Sequence, residues 1–343
     1  MLSVSGGQAF TLVGPGTAAR VCVAADEPEF VRLAAADLTN DVFKITHAAL
    51  PLLVGETPRA GDVSIRTVPD GRWEAYAATV RDGVLELTGS DARGTMFAVY
   101  DFCERRLGVD PLWFWSGVAH PRAKTLAWDD VAFAQGSPTV RFRGWFVNDE
   151  DMLTKWMPAS GMRDYMDYPY YSNVVSHVAM EAVAEAMVRT RMNFTIPASF
   201  LNITRPAEAG IAAVCARRGL YVSMHHIEPM GVSGFAFKDY WRKRGRDLVY
   251  SYFRHPAEVE EVWRAFAAEW AKLPNVIWQI GLRGTGDRAA WQDDPTMPKD
   301  DAGRAAIINR AMARQVEILD ELGVPKENRR VTTTLWGEGT YFN

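Results

Sequence analysis

From residue 139 onward the chain alternates short apolar runs with longer amphipathic stretches, and each of the five apolar runs ends in a polar cluster. Thr139–Val147 runs into Asn148-Asp149-Glu150, Met192–Pro197 into Ser199 and Asn202, and Leu220–Met224 into His225-His226-Ile227-Glu228-Pro229. Val276–Leu282 runs into Arg283-Gly284-Thr285-Gly286-Asp287, and Val331–Leu335 into Trp336-Gly337-Glu338. Between these runs lie Glu181–Arg191, Ala207–Arg218, Pro256–Leu273 and Ala302–Leu322, which carry apolar residues at helical spacing. In 256–273, for example, Val259, Val262, Trp263, Phe266 and Trp270 share one face, and Glu258, Glu260 and Glu261 fill the other. Strands alternating with helices predict a parallel sheet with crossover connections. A doubly wound sheet is the competing architecture. It would carry a Gly-rich loop after its first strand and concentrate its polar residues at one switch point, and this sequence does neither. The expected fold class is therefore α/β, a parallel (β/α) barrel whose C-terminal strand ends share the face that holds the site. Acids, an arginine and two histidines delivered there suggest an enzyme rather than a binding scaffold.

Closure of such a barrel takes eight β/α units, and only five are legible before the chain stops at Tyr341-Phe342-Asn343. The expectation is an incomplete barrel over 136–343 and a longer parent chain. Residues 1–135 read differently. Short alternating segments at Ala9–Val13, Ala19–Val23, Val63–Arg66, Glu74–Val80 and Val84–Thr88 accompany two helical patterns. One covers Glu27–Phe43; the other starts after Gly89-Ser90-Asp91, where Ser or Asp can cap free N–H groups, and stops at Gly108. This mixture predicts a small α+β domain in front of the barrel.

The totals remove several classes of function. A formal charge of −4 and a pI near 5.9 leave no broad basic excess for nucleic acid. No apolar run approaches the roughly 20 residues of a membrane-spanning helix. The first residues lack a basic segment followed by an apolar one, so the chain as given reads as cytoplasmic, or as secreted if its natural start lies upstream. Cys22, Cys103 and Cys215 have no metal or disulfide spacing and read as buried thiols. Twelve Trp is a high count for 343 residues; indoles stack on sugar faces but also fill cores. The sequence allows a homodimer.

At the strand ends, Asp149 and Glu150 can act as acid or base or bond sugar hydroxyls, or simply cap the next helix. His225, His226 and Glu228 invite a metal reading, but adjacent strand histidines point to opposite faces and a third histidine is lacking nearby except His255. Packed or substrate-bonding histidines are expected instead, with no metal and no cofactor. Arg283 offers a fork suited to a carboxylate, and its neighbouring glycines let a ligand approach. Glu338 beside Trp336 would place a carboxylate next to a stacking platform. Glycoside hydrolysis needs two carboxyl groups across the scissile bond, and Glu150, Glu228, Asp287 and Glu338 sit on four different strands.

These same residues resemble glycoside hydrolase family 115, the xylan α-1,2-glucuronidases. Arg143-Gly144-Trp145-Phe146-Val147-Asn148-Asp149-Glu150 is similar to that family's RGIFINDE strand, His225-His226-Ile227-Glu228-Pro229-Met230 to HHEPM, and Gly281-Leu282-Arg283-Gly284-Thr285-Gly286-Asp287 to GMRGDGD. Leu335-Trp336-Gly337-Glu338 falls where the family has Tyr-Lys-Glu, and Arg93–Asp101 resembles the end of its N-terminal α/β domain. The resemblance spans roughly residues 85 to 343. It implies removal of glucuronic acid or its 4-O-methyl form from xylan side chains, with inversion, no metal and a glucuronoxylan-like substrate. It also implies Glu150 and Asp287 as the leading catalytic pair, with Glu338 and Glu228 next, and Arg283 with a histidine on the uronate. Asn148, Asp149, Asn202, His225, His226 and Trp336 complete the expected substrate-binding set. Three differences stand out: Ile227 is inserted, Thr285 replaces an Asp, and Gly337 replaces a Lys. An inert carbohydrate-binding relative and a metal-dependent hydrolase centred on His225, His226 and Glu228 are the alternatives.

Overall fold

Asp82-Gly83 sits between two strands with positive φ at both residues (53° and 75°), the signature of a two-residue hairpin turn. This hairpin belongs to the first of two units in the computed structural model, which describes residues 8–148, 151–163 and 172–333. The first unit comprises residues up to Gly144 together with 182–193 and 217–219. Its main sheet contains β1 (Val21–Val23), β2 (Leu52–Val54), β3 (Val63–Thr67), β4 (Tyr76–Arg81), β5 (Val84–Gly89) and β6 (Phe133–Gln135), in the order β2-β1-β3-β5-β4-β6. The β2-β1-β3-β5 part is parallel; β4 is antiparallel to both its neighbours. Helix α1 (Glu29–Thr46) makes the crossover between β1 and β2, so this unit is more α/β than the expected α+β. Local periodicity shows the elements but not which distant strands pair, and that pairing decides the class.

Helix α2 (Ala92–Leu107) follows β5. Asp91 caps it by accepting from Gly94 N at 2.7 Å, and Gly108 ends it in the left-handed conformation at φ 68°. Val21, Val23, Val63, Ile65, Leu85 and Leu87 are buried on one sheet face, while α1 buries Val31, Ala34, Leu38 and Val42. A charged cluster is also buried in this unit. Asp41 accepts from Arg189 Nη1 and Nη2 at 2.8 and 3.2 Å and meets His120 Nε2 at 3.2 Å. Cys22, Cys103 and Cys215 are buried free thiols.

The second sheet runs in chain order. Its strands are β7 (Gly144–Phe146), β8 (Phe194–Ile196), β9 (Tyr221–Ser223), β10 (Val276–Gln279) and β11 (Arg330–Thr332), and each lies beside its predecessor. The β8 to β11 pairs are parallel. The bonds Asn193 N to Arg143 O (2.8 Å) and Val147 N to Ile196 O (2.9 Å) advance together along both chains, so β7 and β8 are parallel too. Helices α3 (His177–Arg189), α4 (Pro206–Arg217), α5 (Gly234–Arg242), α6 (Pro256–Trp270) and α7 (Asp301–Glu321) lie between these strands in sequence, α5 and α6 both between β9 and β10. A strand order that never reverses lacks the switch point of a doubly wound sheet. Among the described residues the sheet is open, with β7 and β11 at its edges. The strands are three or four residues long, and β7 to β10 are shorter than the apolar runs that announce them. Helix α5 is absent from the sequence reading, and Ser233 caps it by accepting from Ala236 N at 3.1 Å. Among the described residues, no helix is long and apolar enough to cross a membrane.

Candidate active site

Because β7 to β11 are parallel, their C-terminal ends share one side of the sheet, and the described polar residues that follow β7 to β10 lie there. After β7, Asn148 is fixed by Ser199 from the end of β8: the Ser199 hydroxyl donates to Asn148 O at 3.2 Å and to its Oδ1 at 3.1 Å. Asn202, three residues further on, uses its side-chain oxygen in a turn, accepting from Thr204 N (3.1 Å) and Thr204 Oγ1 (2.7 Å). That turn opens α4. Asp149, Glu150, Trp336 and Glu338 lie outside the described residues.

Past the end of β9 the chain turns sharply. Glu228 N donates to His225 O (2.9 Å), Gly231 N donates to Glu228 O (2.8 Å), and Pro229–Gly231 forms one 3₁₀ turn. The two imidazoles therefore lie side by side, centroids 4.1 Å apart and planes 32° apart, and do not point to opposite faces. The alternation expected of neighbours on a strand does not apply, since β9 ends at Ser223. His225 is buried, its ring 4.8 Å from the Phe146 ring in an edge contact and stacked on Phe200 at 5.8 Å. Burial, reinforced by neighbouring His226, pushes its pKa down to about 3, so the ring is neutral near pH 7. Ile227 N donates to its Nδ1 at 3.3 Å, which places the ring proton on Nε2.

His226 is also held below the ordinary histidine range by burial, against the opposing pull of Asp287. A carboxylate only accepts, so the 2.9 Å contact is His226 Nε2–H donating to Asp287 Oδ1. Arg283 Nη2 lies 4.0 Å from the same oxygen. Arg283 is buried, which lowers its pKa, yet a guanidinium starts so high that it stays charged. The Asp287 side chain is 70% exposed and Glu228 is buried at 2%. Glu228 Oε2 accepts from His225 N at 3.3 Å, so this acid faces the turn it helps to form.

The structure thus gathers His225, His226, Arg283 and Asp287 around the ends of β9 and β10 and adds two aromatic walls, Phe146 and Phe200. Sequence reasoning passed over both as site residues. Phe146 stands inside a quoted motif, and Phe200 adopts a positive φ of 54°, which no sequence pattern signals. Gly284 is required where it stands: a Cβ there would lie 2.8 Å from the carbonyl oxygens of both Arg288 and Ala289. Among the described residues, no three His, Cys, Asp or Glu side chains are placed to hold a metal ion.

A parallel β/α sheet presenting a carboxylate, a guanidinium and neutral imidazoles at its strand ends has the organisation of a β/α hydrolase. Solved structures that superpose on it include carbohydrate-active enzymes. A family GH115 4-O-methyl-alpha-glucuronidase with specificity for decorated arabinogalactans superposes with a TM-score of 0.75 at 21% identity, over 97% of this chain and 44% of that one. Flavobacterium johnsoniae chitobiase gives 0.59 at 11% identity (98% and 54%), and Streptomyces plicatus N-acetyl-beta-hexosaminidase 0.55 at 13% (94% and 65%). At such identities the likeness is one of fold, and the chain spans less than half the length of the glucuronidase. Among curated protein sequences none matches. The model of glycosyl hydrolase family 115 matches residues 135–342, and the chain belongs to that family.

Proposed function

We propose that the natural protein containing this chain removes glucuronic acid, or its 4-O-methyl form, from a decorated polysaccharide by an inverting acid/base mechanism. The carrying observation is the exposed Asp287 carboxylate, hydrogen-bonded by His226 at 2.9 Å with the Arg283 guanidinium at 4.0 Å. The His226 N–H orients the exposed Asp287 carboxylate, the group placed to take a proton from the attacking water. Glu150 is then the general acid that protonates the leaving oxygen. Inversion asks for a separation of about 6.5–9.5 Å between the two. Arg283 grips the uronate carboxylate through its fork, a role its burial strengthens by removing competing water. Phe146 and Phe200 line the sugar, and Asn148, Asp149, Asn202 and Trp336 supply further contacts. Glu228 supports the histidine turn, which leaves Glu338 as the next carboxylate to test. The resemblance at the motifs favours glucuronoxylan as substrate; the arabinogalactan specificity of the solved glucuronidase makes that polymer the second candidate.

The test is release of uronic acid from glucuronoxylan and from uronosylated arabinogalactan, with the first-formed anomer followed by NMR. The expected product is the inverted anomer. Asp287→Asn should lower kcat by about 10²–10⁴-fold, the usual worth of a general acid or base. Release from neither polymer, a retained anomer, or an unimpaired Asp287→Asn variant would each defeat the proposal.

A further inference from the structure

We propose that Gln315 is a positioning residue for the Arg283–Asp287 loop and acts through the backbone of Gly281; its catalytic meaning rests on the reading of Arg283 and Asp287 given above. Gln315 lies on α7 with no solvent exposure, on a face that also buries Ala311, Ile318 and Leu319. An amide in such surroundings is costly unless all its polar groups are bonded. Here one residue satisfies both ends. The Gln315 Oε1 accepts from Gly281 N at 2.8 Å, and its Nε2 donates to Gly281 O at 2.8 Å.

The position of that residue gives the clamp its consequence. Ile280 N still donates to Thr332 O at 2.9 Å, a ladder bond to the β11 chain. At Gly281 the backbone swings to φ 135°, a conformation that L side chains rarely adopt, and leaves the ladder. The Gln315 amide gives this buried N–H and C=O the kind of partners that a strand neighbour gives within a sheet. Arg283 follows two residues later and Asp287 six. Further along, Asp293 Oδ2 accepts from Thr285 N, and Gly284 N donates to Arg288 O at 2.9 Å. The loop is thus anchored at its root by Gln315 and at its middle by Asp293. Losing the root anchor strands two buried backbone groups and lets both functional side chains shift together. A misplacement of about 1 Å costs on the order of 10²-fold in rate.

Two variants of the full natural protein test this, read by uronoside turnover across pH and by amide hydrogen exchange over residues 281–288. Gln315→Leu should lower kcat by about 10–100-fold and speed exchange in that loop, with helix content unchanged. Gln315→Glu separates positioning from general stability. A protonated carboxyl accepts and donates as the amide does, whereas a carboxylate only accepts. Its activity should therefore approach wild type at the acid end of the profile, a rescue the Leu variant cannot show. A Leu variant with wild-type kcat and unchanged exchange overturns the proposal. So does a Glu variant as impaired as the Leu variant at every pH. Should the wild type release no uronic acid, the activity reading falls, and loop exchange in the Leu variant still decides whether the clamp exists.

Discussion

Side chains of one type take different tasks here because burial differs over a few ångströms. His225 and His226 are neighbours in sequence and in space, yet among the described residues it is His226 whose ring reaches a carboxylate, while the His225 ring packs against Phe146 and Phe200. The His225 pKa of about 3 lies below the ordinary 6.5, so below pH 6.5 the unfolded chain binds a proton that the folded one refuses. Stability therefore falls as pH falls from 6.5 toward 3, by about 2 kcal/mol already at pH 5. Urea unfolding at pH 7 and pH 5 should show this loss in the wild type and a smaller one in His225→Gln. Equal losses would mean that His225 is not held neutral. Glu228 and Asp287 contrast in the same way, one acid turned into the protein and the other toward solvent. Sequence alone ranked the four candidate carboxylates by motif and had no means of seeing which were buried.

Among the elements, those with local stop and start signals were the most legible. Helix α2 begins after Asp91 and ends at Gly108, as the Ser-Asp pair and the glycine announced. Asp91 also accepts from Glu74 N at 2.9 Å, so Asp91→Ala removes two hydrogen bonds at once. Its expected cost is about 1–2 kcal/mol, at the upper end for a helix cap, measurable as a lowered denaturant midpoint. A loss within a few tenths of a kcal/mol of zero would show that the cap is not holding the helix start. Helix α5 escaped notice because nine residues hold too few turns for a clear period. Its first residue, Gly234, is fixed by tertiary contact, since a Cβ there would sit 2.4 Å from Thr285 Oγ1. Strands β7 to β10 came out shorter than their apolar runs because glycine and polar residues at their ends leave the ladder.

Across the whole molecule, one buried ionic cluster shows what distant parts of the chain contribute to stability. Asp41 on α1 and Arg189 on α3, 148 residues apart in sequence, are paired with essentially no solvent access. Removing Arg189 takes the guanidinium away from the buried Asp41, which keeps its His120 contact, so Arg189→Ala should destabilise by about 3–5 kcal/mol. The double change Asp41→Leu with Arg189→Met should cost less than the single one, because two buried charges leave together. Thermal unfolding of the three proteins decides it. A double variant worse than the single one would mean that the cluster is worth more than its desolvation cost.

The sequence by itself determined the alternation of strands and helices, the parallel second sheet, the polar strand ends and membership of family 115, because period, capping residues and short motifs are local properties. Only the tertiary structure decided the strand order, the mixed character of the first sheet, the side-by-side histidines, the inward turn of Glu228 and the Gln315 clamp on Gly281. Each of these depends on which distant residues meet and how much water they exclude, and no local pattern encodes either.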